Sequence, residues 1–103
     1  MKKLLIHNNN TFLNQTDYFN IEEQFVFGFN TDNVEIDKII QKELTTGTLI
    51  GKIMQSDVLF IKISLSKNYL EYLGIRLAYH IRLTKELSDK STIPIVFVAE
   101  EDL

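Results

Sequence analysis

Two short apolar runs constrain this chain most: DVLFIKISLS, from Asp57 to Ser66, and IPIVFVAEED, from Ile93 to Asp102. Between them lies a segment of helical spacing that carries Arg76 and Arg82. Two β-branched runs around one amphipathic helix read as a βαβ unit, and such units build parallel sheets. Lys62 stands near the carboxyl end of the first run. Open α/β sheets keep their working crevice at the carboxyl ends of the strands, so the residue type at that point bears on function.

The rest of the chain repeats the alternation. Lys3 to His7 is expected to form a first strand ending in the polar run Asn8-Asn9-Asn10. Thr11 to Asn20 reads as a short helix, and the aromatic stretch from Gln24 to Phe29 as a second strand. Asp32 and Glu35 have capping-box spacing, and Ile36, Ile39, Ile40 and Leu44 then fall on one helical face. Gly47 is the expected stop. Thr48 to Gln55 is ambiguous; Leu49, Ile50, Ile53 and Met54 suit one or two further helical turns. Val58 to Ile63 is the third strand, and Leu70, Leu73, Leu77 and Ile81 mark one face of a long helix. Ile93 to Ala99 is the fourth strand, with Pro94 near its start, where a missing N–H disrupts least. The order β-α-β-α-β-α-β predicts an α/β fold: a parallel sheet of about four strands, right-handed crossovers, and helices on both faces.

Composition narrows the function. A chain of 103 residues, 45% apolar and 24% charged, is expected to be a single domain over residues 1–103. Its net charge of −3 argues against electrostatic nucleic-acid binding. It has no cysteine, which excludes disulfides, thiolate chemistry and cysteine-zinc sites. The apolar run Leu4 to Ile6 is too short for a signal-peptide core or a membrane span, so a cytoplasmic location and no membrane partner are expected. Gly28, Gly47, Gly51 and Gly74 are isolated, leaving no phosphate-cradling loop. The adjacent pairs Glu22-Glu23 and Glu100-Glu101 diverge in a strand or a helix and form no dyad by themselves. His7 and His80 lie in different elements without metal-ligand spacing, so neither a metal nor a cofactor is expected.

Three segments in order resemble the receiver domain of bacterial two-component response regulators. They are Asp57-Val58-Leu59-Phe60-Ile61-Lys62-Ile63-Ser64-Leu65-Ser66, the helical Gly74-Ile75-Arg76-Leu77-Ala78-Tyr79-His80-Ile81-Arg82, and Ile93-Pro94-Ile95-Val96-Phe97-Val98-Ala99. The stretch from Leu4 to Asn10 is similar to the family's first strand, and Thr11 to Gln55 matches only in its order of elements. The resemblance implies a flavodoxin-like sheet of order 2-1-3-4.

Receiver chemistry is phosphoryl transfer to an aspartate beside a divalent ion. Against that pattern, the metal-binding acidic pair falls on Asn8 and Asn9, and the phosphoacceptor on Lys62. The sensing hydroxyl falls on Ala99, and the proline after the acceptor on Ser66. The loop from Ser66 to Gly74 is about four residues longer than usual, judged from the register of helical and strand signals. The family's fifth strand and its lysine have no counterpart before Leu103, so the chain is expected to be the N-terminal part of a longer protein. Every covered position of the phosphorylation site is altered. The resemblance therefore implies a pseudo-receiver, without phosphoacceptor activity, that regulates signal transduction through a protein partner or an output domain.

Lys62 has three readings. It locks one conformation through a buried hydrogen bond or ion pair, with Asn8 and Asn9 as candidate partners. It runs its stem along the strand end and leaves the ammonium in water, the favoured reading. Or it serves a small ligand-binding or enzymatic α/β domain as an anion clamp or nucleophile. Arg76, His80 and Arg82 on the third helix could offer a surface to an acidic partner, or simply form a solvated face. An uncovered fourth strand, Ile93 to Ala99, would invite pairing with a second copy of the chain.

Overall fold

The computed structural model describes residues 1–8, 21, 23–26, 36–63, 65 and 73–98. Four strands are present: β1 (Lys3–His7), β2 (Glu23–Val26), β3 (Val58–Lys62) and β4 (Ile95–Val98). They form one sheet of order β2-β1-β3-β4, with every pairing parallel. This is the order and the direction that the sequence predicts. Both central strands are buried on both faces, which is why they read as continuous apolar runs rather than alternating ones. Pro94 lies just before β4 and takes part through its carbonyl, which accepts from Leu59 N–H at 3.0 Å.

Three helices follow the expected stripes: α1 (Ile36–Glu43), α2 (Thr48–Met54) and α3 (Leu73–Leu83). Their inward residues meet Leu4, Ile6, Leu59 and Ile61 in one cluster that includes Ile40, Leu44, Leu49, Ile53, Leu73, Leu77 and Ile81. Removing each such side chain from water is worth about 1.5–3 kcal/mol, enough to hold short helices that would not persist alone. On the opposite face a smaller cluster joins Leu5, Val58, Phe60 and Val98 with Ile21. All three described α-helices thus cover one face. The helix expected over Thr11 to Asn20, the Asp32–Glu35 cap and Leu70 lie outside the described residues.

Two details depart from the sequence reading. Gly47 is not the stop of α1, which ends at Glu43; it is the residue before α2, at the end of the short connection between the two helices. A Cβ there would meet Glu43 Cα at 2.7 Å, so the tight connection needs glycine for space rather than for an unusual φ. A 3₁₀ helix (Lys85–Lys90) follows α3, where the polar stretch KELSDK carries no periodic signal. Leu87 anchors it in the main core.

Candidate functional site

Because β1 and β3 are neighbouring parallel strands, their carboxyl ends come together. The sheet order reverses between them, and that is where an open α/β sheet forms its crevice. Asn8 follows β1, and Lys62 is the last residue of β3. Strand alternation puts Lys62 on the face of Phe60 and Val58, away from α1, α2 and α3. The same alternation puts His7 on that face beside Leu5.

Lys62 is only 3% exposed, and its Nζ donates to Asn8 Oδ1 at 2.7 Å. The favoured expectation, an ammonium left in water, is therefore corrected: the side chain turns inward and is held by an asparagine 54 positions away. The physical reason is partnership. A buried amine is costly unless its donors are met, and Asn8 supplies a carbonyl oxygen without adding a second ionised group. Among the described residues no buried side-chain nitrogen or oxygen lacks a partner. His7, fully buried, places Nε2 3.2 Å from Gln24 Oε1 on β2. Gln24 lies in the aromatic strand, and no sequence signal marks its polar role.

The backbone of this corner is closed by Gly74. Its N–H donates to Ile63 O at 2.7 Å, tying the first turn of α3 to the end of β3. A Cβ at Gly74 would run into the carbonyl oxygen of Lys62 and lie 2.8 Å from Ile63 O. Only glycine lets the helix start this close to the strand that carries Lys62.

Chemically, the arrangement fits neither half of receiver phosphorylation. An amine cannot form an acyl phosphate. A divalent cation of the magnesium type takes oxygen ligands, chiefly carboxylates and water. Asn8 offers one neutral amide oxygen, already engaged by a cationic group. The residues present do not fit a metal here. Asn9, Ser66 and Ala99, the other altered positions, lie outside the described residues.

Residues 7–103 match the family model of the inactive receiver domain. The chain belongs to the inactive receiver family. Comparison with curated proteins gave no match, and neither did comparison with solved structures. Membership agrees with the sheet order and with the altered strand ends of this inactive receiver.

The basic residues of α3 are engaged within the chain. Arg76 Nη2 donates to Asp37 Oδ2 at 2.7 Å, and His80 Nε2 lies 2.9 Å from Asp37 Oδ1. Asp37, in the first turn of α1, is thus an acidic partner for both. Hydrogen bonding to His80, and then to Arg76, holds its carboxyl below the usual aspartate range. Arg82 Nη1 donates to the Ser91 carbonyl at 2.8 Å. His7 and His80 belong to different sites, one on the small-cluster face of the sheet and one on α3. Among the described residues no helix is long and apolar enough to cross a membrane.

Proposed function

We propose that this inactive receiver works as a non-catalytic regulatory module in signal transduction, one that acts through protein contacts and not through phosphoryl transfer. The observation that carries the reading is the Lys62–Asn8 hydrogen bond. In a responsive receiver the strand-end crevice exists in two charge states. Here the Lys62–Asn8 bond stands at the position of acceptor and metal, so the fold presents one surface regardless of phosphoryl donors. Such a domain can bind, position or hold apart other chains, but it has no chemical input at this site.

The competing reading, a small ligand or enzymatic site that uses Lys62 as an anion clamp or nucleophile, requires an accessible amine. The burial of Lys62 and its bond to Asn8 weigh against it. A thermal-shift screen of nucleotides and acidic metabolites separates the two. Ligand stabilisation present in the wild type and absent in Lys62→Met would favour the clamp. The module reading expects no such pattern, and it also expects no mass increase on incubation with acetyl phosphate and magnesium. Stoichiometric phosphorylation would refute it.

A further inference from the structure

We draw no further inference here: the strongest candidate, the apolar groove that Ile75 and Tyr79 of α3 form with Ile95 and Phe97 of β4, carries nothing because nothing in the structure shows what covers it.

Discussion

At the scale of single residues, the Lys62–Asn8 contact has an asymmetry that can be measured. Removing Asn8 leaves a buried amine short of a partner, so Asn8→Leu should destabilise the fold by about 1–3 kcal/mol in urea denaturation. Removing the amine is different. Lys62→Met keeps the stem volume, and half-buried Asn8 can turn to water, so the cost should stay within about 1 kcal/mol. Equal losses from both variants would show that the contact is not what holds Lys62 inward. Asp37 gives a second prediction at this scale. Its folded pKa is depressed, so its contribution to stability is present above the unfolded value, near 4, and is lost as pH falls through the lower folded value. Asp37 is half exposed and screened by solvent, which limits the pair to about 0.2–1 kcal/mol. Asp37→Asn should remove that increment at pH 7 and flatten the acid limb of the stability curve. The Asp37 partnership was not legible in the sequence, and the Lys62–Asn8 bond was legible only as one of three readings of Lys62. Asn8 and Lys62 are 54 positions apart, and Asp37 and His80 are 43 apart. Lysine is also ordinarily solvated, so the sequence favoured the wrong orientation for Lys62.

At the scale of elements, two glycines should respond oppositely to the same substitution. Gly51 lies within α2, and a Cβ there would meet nothing within 4 Å. Gly51→Ala should therefore stabilise the protein by about 0.5–1 kcal/mol through helix propensity. Gly74→Ala would drive a methyl group into the backbone of Lys62 and Ile63, and should cost about 1–3 kcal/mol or more as α3 moves off the strand end. Thermal melts of the two variants should move in opposite directions, and matching shifts would contradict the packing described for α3. The elements themselves were largely legible. Leu73, Leu77 and Ile81 are buried as the helical stripe required, and the apolar runs became β1, β3 and β4 within about two residues. The 3₁₀ helix was not legible, because one buried residue, Leu87, holds it, and a single apolar position has no period.

At the scale of the whole molecule, the fold is a receiver sheet whose described strand ends carry an asparagine, Asn8, and a lysine, Lys62, where active receivers carry acids. The alternation of elements foretold the sheet order, because parallel strands need long crossovers and right-handed ones leave few topologies. The loss of phosphorylation chemistry was legible as residue types at strand ends. Whether that corner was open or closed was not, since it depends on the pairing of distant residues. The proposed function requires that the Lys62–Asn8 bond leave the corner unresponsive to a phosphoryl group, and an NMR titration with magnesium and beryllofluoride probes that at the residues concerned. The amide signals of Asn8, Lys62, Ile63 and Gly74 should remain unmoved in the wild type at saturating reagent. A saturable, magnesium-dependent shift of those signals would mean that the corner still answers a phosphoryl group.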